Sequence, residues 1–395
     1  MAVKGDGEMK DAWTYLERLT RYPHRAVGSA EEAAAAGEAA GWLKDMGYEV
    51  EIQRFRAPRD TLYIGPAVIM AGYLAAAAIA VWWQPWIGLL LAVLLLIPLV
   101  GEMSGKGLDL DAYTPKVTSQ NVIARAREQG GERLTVVVSG HLDTQHATWL
   151  FHPRMAPHVQ TYLNLAYLSL GIMFLGLVLR AVLPSAGWPL WVLAAAAVLL
   201  IGHIAFLLAC ALTGDYINGA NDNTTGAALT LALAEHFAAQ PLPGVRFHFL
   251  LTGAEEVGTR GMKAFLRANR YDPNTTYFIN LDNLGGGILT YLEGEGMTLY
   301  HRFGKDLVEL ARTMAAERPG KVKARPNLLL PTDAMIPAAH GYQAISFLAF
   351  LEDGALPNYH WYTDTPENVD RELLAFTEAF LKEYIQRLAA ARLAP

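Results

Sequence analysis

Polar and apolar positions along this chain follow two different regimes. Residues 61–101 contain no Asp, Glu, Lys or Arg in 41 positions, and residues 155–214 contain one, Arg180, in 60. A bilayer-spanning helix needs about 20 consecutive apolar residues, so each stretch is long enough for two. Trp82-Trp83-Gln84-Pro85-Trp86 interrupts the first stretch and Pro184-Ser185-Ala186-Gly187-Trp188-Pro189 the second. Proline breaks a helix, and tryptophan suits the headgroup region. The pattern predicts four transmembrane helices in two hairpins, near 62–81 with 86–101 and 159–182 with 188–212. Buried helices of a soluble core rarely run this long without charge. Arg180 is expected to snorkel toward the interface, and His203 to hydrogen-bond to a neighbouring helix.

Elsewhere the periods are those of an ordinary globular domain. Ser29-Ala30-Glu31-Glu32 reads as a capping box opening a helix to about Met46, which Gly47 stops. Residues 48–55 alternate like a half-exposed strand. Asn121-Val122-Ile123-Ala124 and the β-branched run 134–139 read as strands, the second of them buried. Further strands are expected at 245–251, 277–281 and 344–349. Helices are expected at 227–239 and 261–269, with a long one from about Glu367 to the end. Strands alternating with helices predict an α/β domain, a largely parallel mixed sheet sandwiched by helices. The chain then divides into 1–60, 102–154 and 215–395 for the globular part, with hairpins at 61–101 and 155–214.

Composition sharpens this picture. The chain is 18% charged, but the 294 residues outside the two stretches hold 69 of its 70 charged side chains. That is about 23%, near the soluble norm. A formal charge of −6 without a dense Lys/Arg run argues against nucleic acid as a partner, and one cysteine excludes a disulfide scaffold. Residues 1–10 do not read as a secretory signal. Arg54, Arg56, Arg59, Lys106, Lys116 and Arg154 flank the apolar stretches on the globular side, against Arg180 beyond them. The positive-inside rule then puts the globular part of a multi-pass integral membrane protein in the cytoplasm.

Chemistry gathers where the expected strands end. His141 and Asp143 follow one strand, Glu255 and Glu256 another, and Asp282 a third. Asp222 lies in the loop Gly219-Ala220-Asn221-Asp222-Asn223, and His360 in a polar loop after the last strand. Open α/β sheets place their sites at that edge, and two imidazoles among carboxylates suit zinc. Adjacent Glu255 and Glu256 cannot point the same way, so one can bind metal while the other stays free for proton transfer.

With these residues in place, the sequence resembles the di-zinc aminopeptidases and carboxypeptidases, which include secreted bacterial aminopeptidases and glutamate carboxypeptidase. Its marks are His141-Leu142-Asp143, the loop around Asp222, Glu255-Glu256, Asp282, and His360 with Asp364. Arg25-Ala26-Val27-Gly28-Ser29 and Asn121-Val122-Ile123-Ala124 look like the family's lead-in segments. The resemblance implies a zinc exopeptidase fold and two zinc ions, with other divalent metals able to use the same ligands. It implies that His141 and Asp282 bind one ion, Glu256 and His360 the other, and that Asp222 bridges them. Asp143 would orient His141 and Glu255 would be the general base. A cis peptide is implied between Asp222 and Asn223.

The expected function is that of a membrane-anchored zinc exopeptidase, an aminopeptidase acting on peptides, apolar or membrane-derived ones included. A single-zinc glutaminyl cyclase, an inactive receptor-like protein and a transporter are the rival readings. The stretches interrupt residues that must build one site, so each has to return to the side it left and cross the bilayer an even number of times.

Overall fold

The computed structural model describes residues 9–394 apart from 61, 107–113, 128–129, 297–298 and 328–330. Expectations for residues 1–8 and for Thr61 lie outside the described residues. The chain forms two compact units, one of residues 1–57, 117–146 and 216–395, the other of residues 58–116 and 147–215.

In chain order the strands are β1 (Glu49–Pro58), β2 (Lys116–Arg125), β3 (Leu134–His141), β4 (Val245–Thr252), β5 (Thr276–Leu281), β6 (Ile288–Glu295), β7 (His301–Arg302), β8 (Val322–Asn327) and β9 (Gln343–Phe350). The helices are α1 (Ala12–Leu19), α2 (Ala30–Asp45), α3 (Ile64–Trp82), α4 (Pro85–Met103), α5 (Val159–Val182), α6 (Trp188–Leu212), α7 (Thr225–Ala239), α8 (Arg260–Ala268), α9 (Lys305–Ala316), α10 (Met335–Ala339) and α11 (Arg371–Leu393).

The first unit is built on one sheet of order β1-β2-β4-β3-β5-β9-β6-β7, with β8 on β6. Its centre, β4-β3-β5-β9, is parallel. Outside it the sheet is mixed, since β2 joins β4, and β6 joins both β9 and β7, antiparallel. The centre is buried on both faces. Val136, Val137 and Val138 are inaccessible to solvent, as are Leu250, Leu251 and Ile279. Helix α7 packs on β3, β4 and β5, and α11 packs on α7, α9 and β6.

Local chemistry sets the element ends. Ser29 Oγ accepts from Glu32 N at 3.0 Å, as an N-cap should. The other half of the expected capping box is absent, because the Glu32 carboxylate instead accepts from Gly28 N at 2.7 Å and Ser119 Oγ at 2.6 Å. The last helix starts at Arg371, not Glu367. Asp370 caps the amides of Glu372 and Leu373, and Pro366–Asn368 is a separate turn. Residues 282–343, whose pattern predicts nothing, fold as β6, β7, α9, β8 and α10.

Glu32 is fully buried, and burial, then the charge of Asp143, push its pKa up to about 8 from 4.5. A carboxyl raised in the folded state stabilises fully below its unfolded pKa, and that contribution is lost as pH rises through the folded value. Unfolding free energy is therefore expected to fall between pH 4.5 and about 8, by at most about 1.4 kcal/mol per pH unit. Denaturant titrations at pH 5 and 8 should show this slope in the native protein and a flatter one in Glu32→Gln. Equal slopes would mean that Glu32 does not titrate in this way.

The second unit is the bundle of α3, α4, α5 and α6. Helix α3 packs on the other three, and α4 and α6 pack on α5. Gly88 permits one close approach, since a Cβ there would lie 2.4 Å from the Ala76 carbonyl oxygen of α3. Three helical segments, Ile64–Trp82, Ala156–Val182 and Trp188–Leu212, are long and apolar enough to cross a membrane. The fourth, Pro85–Gly101, is a shorter apolar segment, with Glu102 next in the chain. Three spans, not four, thus meet the length criterion among the described residues. Ser169 Oγ of α5 lies 3.3 Å from His203 Nε2 of α6, a hydrogen bond between helices.

The insertions leave and return on paired backbone. Arg59 N donates to Pro115 O at 3.1 Å, and Ala147 N to Asp215 O at 3.0 Å. In the first unit, His146 and Tyr216 form an antiparallel bridge, and Ile217 N donates to Gln145 O at 3.0 Å.

Candidate metal centre

Strand register assembles the site. His141 is the last residue of β3 and pairs with Thr252, the last of β4, so Glu255 and Glu256 emerge beside it. On the other flank Ser139 pairs with Asn280, which puts Asp282 level with His141. The loop after β9 supplies His360, and residues 219–224, which lead into α7, supply Asp222.

All five residues implied as metal ligands come together. His141 Nε2 lies 3.2 Å from Asp222 Oδ1 and 3.7 Å from Asp282 Oδ1. His360 Nε2 lies 3.1 Å from Asp222 Oδ2 and 3.0 Å from Glu256 Oε2. The Asp222 carboxylate thus lies between the imidazoles, one oxygen toward each. His141, Asp222 and Glu256 can each offer a ligand atom within 4.8 Å of the others.

Glu255 and Glu256 diverge. Glu256 faces His360, whereas Glu255 Oε2 lies 3.9 Å from His141 Nε2 and keeps 11% of its side chain exposed. Asp143 controls both, accepting from Glu255 N and Glu256 N at 3.1 Å each. The Asp143 Oδ1 is 3.7 Å from His141 Nδ1, which instead lies 3.1 Å from the Asp143 main-chain oxygen.

The Asp222 loop is equally constrained. The Asp222–Asn223 peptide is cis. Asp364 accepts from Asn221 N at 2.6 Å and Asp222 N at 3.0 Å. Asn223 donates to Leu281 O at 2.9 Å and accepts from Gly226 N at 2.9 Å, fastening the loop to the end of β5. Only glycine fits at 226, since a Cβ would lie 2.1 Å from Leu281 O. Ala254, Asn283 and His360 have φ between 50° and 53°, a region that costs a residue with a Cβ about 1–3 kcal/mol. His360 is a candidate ligand, Asn283 follows one, and Ala254 precedes the candidate base Glu255.

The electrostatics call for a cation. Burial, then the Asp333, Asp282 and Glu256 charges, push Glu255 well above the usual carboxylate range against the pull of His141. Burial takes Glu256 to about 7 against His360, and also raises Asp282. Burial opposes protonation of both imidazoles, yet Asp222 and Asp282 raise His141, and Glu256 and Asp222 take His360 to about 10. Asp222 is held low, despite its burial, by those two histidines. Glu256 Oε1 is buried without a hydrogen-bond partner among the described residues, and Asp222 Oδ2 has only the His360 imidazole near it. Orphaned carboxylate oxygens are costly, and with the nearby imidazoles they form an N/O donor set that fits divalent zinc.

Some residues at the site gave no sequence signal. Asp333 is buried, and its Oδ2 accepts from Thr252 Oγ1 at 2.5 Å. It falls in the stretch whose pattern predicts nothing. The Tyr359 ring stacks on His360 with centroids 3.9 Å apart. Arg25 belongs to a lead-in segment, but its contacts join parts of the chain that are remote in sequence.

Residues 194–385 match the model of Peptidase family M28, a span that begins after His141 and Asp143. No curated protein matches the chain. Among solved structures, it is similar to a zinc aminopeptidase from Bacillus subtilis, at 14% identity over 97% of this chain and 96% of that one, with a TM-score of 0.58. It is also similar to a Porphyromonas gingivalis glutaminyl cyclase, at 13% identity over 96% and 98%, with a TM-score of 0.56. An aminopeptidase from Aneurinibacillus sp. strain AM-1 matches at 15% identity over 96% and 93%, with a TM-score of 0.54. At such identities these structures speak for the fold, a mixed sheet with helices. The match of residues 194–385 to Peptidase family M28 supports reading the chain as a zinc metallopeptidase-type hydrolase.

Proposed function

We propose that this protein is a membrane-anchored aminopeptidase with a two-zinc centre. The observation that carries the reading is the Asp222 carboxylate, with one oxygen 3.2 Å from His141 and the other 3.1 Å from His360. His141 and Asp282 would hold one ion and Glu256 and His360 the other, with Asp222 shared. When bound, such ions act as Lewis acids on the scissile carbonyl and lower the pKa of water.

The chain's own groups do the rest. Glu255 takes a proton at its carboxylate and returns it to the departing amine. Asp143 keeps that carboxylate apart from Glu256 by holding both amides. His360 and Asp364 stand on either side of the Asp222 loop, the imidazole at its carboxylate and Asp364 at its amides.

Helices α3 to α6 serve as the anchor in this reading, as two hairpins with the peptidase domain on the cytoplasmic side. The insertion that carries the second hairpin begins at Ala147, six residues after His141, which suits apolar or membrane-derived peptides as substrates.

Glutaminyl cyclases among the similar folds support a second reading, a one-zinc cyclase. Metal analysis of detergent-purified protein, run with aminopeptidase and cyclase assays, separates them. Two zinc ions per chain and release of N-terminal residues are expected. One ion with cyclisation of N-terminal glutamine would replace this reading. Protease digestion of sealed vesicles of known orientation checks the sidedness.

A further inference from the structure

Arg25 is the bulkiest fully buried side chain in the described protein. A buried guanidinium is costly unless its charge and its donors are met. Its donors are met by neutral oxygens. Nε donates to Leu142 O at 2.6 Å. Nη1 donates to Asn218 O at 3.0 Å and Leu19 O at 3.5 Å, and Nη2 to Gly219 O at 3.1 Å and Thr224 Oγ1 at 2.7 Å. Its backbone joins in, since Arg25 N donates to Thr144 Oγ1 at 2.9 Å and Thr144 N to Arg25 O at 3.2 Å. Burial lowers its pKa only to about 10, with Asp364, Asp143 and Asp222 pulling the other way, so it is charged at neutral pH.

Leu19 O apart, these acceptors form two groups. Leu142 lies between His141 and Asp143. Asn218, Gly219 and Thr224 belong to the loop that carries Asp222. In sequence the groups stand on opposite sides of the 147–215 insertion; Ile217 N to Gln145 O and the His146–Tyr216 bridge pair the chain near them, and Arg25 ties the two groups themselves together. Arg25 grips the Asp222 loop by its carbonyls while Asp364 grips it by its amides. None of Arg25's bonds goes to the segments carrying Glu256 and His360.

We propose that Arg25 is a positioning residue that fixes the end of β3 against the Asp222 loop and so sets the affinity of the metal position made by His141, Asp282 and Asp222, in preference to that made by Glu256 and His360. The inference rests on the two-metal reading above. Lysine cannot replace arginine here, because an ammonium offers three donors from one point and cannot span the two groups.

The test is metal binding, with no need of turnover. Full-length native protein, Arg25→Lys, Thr224→Val and Asp282→Asn are purified in detergent, stripped by chelation and titrated with Co(II) by calorimetry and visible absorption. The native protein should bind two ions. In Arg25→Lys one class of site should weaken by about 10–100-fold, the usual cost of losing a partner behind a ligand, while the other moves by less than about 3-fold. The weakened class should be the one lost in Asp282→Asn. Thr224→Val, which removes one acceptor of Arg25 along with the hydroxyl's own bond to Gly219 O, should weaken the same class by a smaller factor, and it decides the matter if Arg25→Lys does not fold. Equal weakening of both classes, or unchanged affinities with only a lower melting temperature, would overturn the role given to Arg25. Fewer than two ions in the native protein would overturn the two-metal reading instead.

Discussion

Glu255→Gln is expected to leave metal content and fold intact while lowering peptidase kcat by about 10²–10⁴, the range that a positioned proton-transfer group contributes. Glutamine keeps the shape of the side chain and removes only its ability to take and return a proton. The backbone there is held independently, because Glu255 N donates to Asp143 Oδ1 whatever the side chain is. The neighbouring Glu256, not Glu255, faces His360 at 3.0 Å, so the residue implied as ligand is untouched. Of the candidate carboxylates Glu255 is the most open, its side chain 11% exposed against 3% for Asp222, 5% for Glu256 and 6% for Asp282. Normal turnover would end its assignment as the base. Joint loss of metal and activity would make it a ligand.

Asp222→Asn is expected to do the opposite, removing metal first. The change takes a full charge from between two imidazoles, and both candidate positions depend on it. Affinity at both should fall by more than the about 10–100-fold that loss of an outer hydrogen-bond partner costs. Asp282→Asn should weaken one position only. A ligand that binds only the folded state raises the unfolding midpoint. Zinc should therefore shift the midpoint of the native protein and of Asp282→Asn, and not that of Asp222→Asn. A native-like shift in Asp222→Asn would show that the carboxylate is not shared.

The sequence was most readable where one periodicity governs a long stretch. The uncharged runs placed helices near 62–81, 86–101, 159–182 and 188–212, and α3 to α6 follow them within a few residues. Strand ends were readable for the same reason, since β-branched runs such as Val136-Val137-Val138 stop at residues with chemistry. Less readable was anything decided by partners far away in sequence. Nothing local shows that Glu32 turns from Ser29 to Ser119, or that the Asp143 carboxylate takes the amides of Glu255 and Glu256 while its carbonyl approaches His141. Residues 282–343 were opaque because β7 and β8 lie at the sheet's margin, beyond β6. There burial alternates irregularly, and short elements do not establish a period.

The backbone pairing of Ala147 with Asp215, and of His146 with Tyr216, also bears on the order in which the protein becomes an enzyme. A nascent chain presents His141 before the second insertion is made and Asp222 only after it. In the anchored reading, both hairpins must be seated in the bilayer before the two halves of the centre can meet. Peptide hydrolysis then becomes possible only after the second stem closes and Glu255, Glu256, Asp282 and His360 have followed it, so a chain stalled in membrane insertion is also a chain without a working protease.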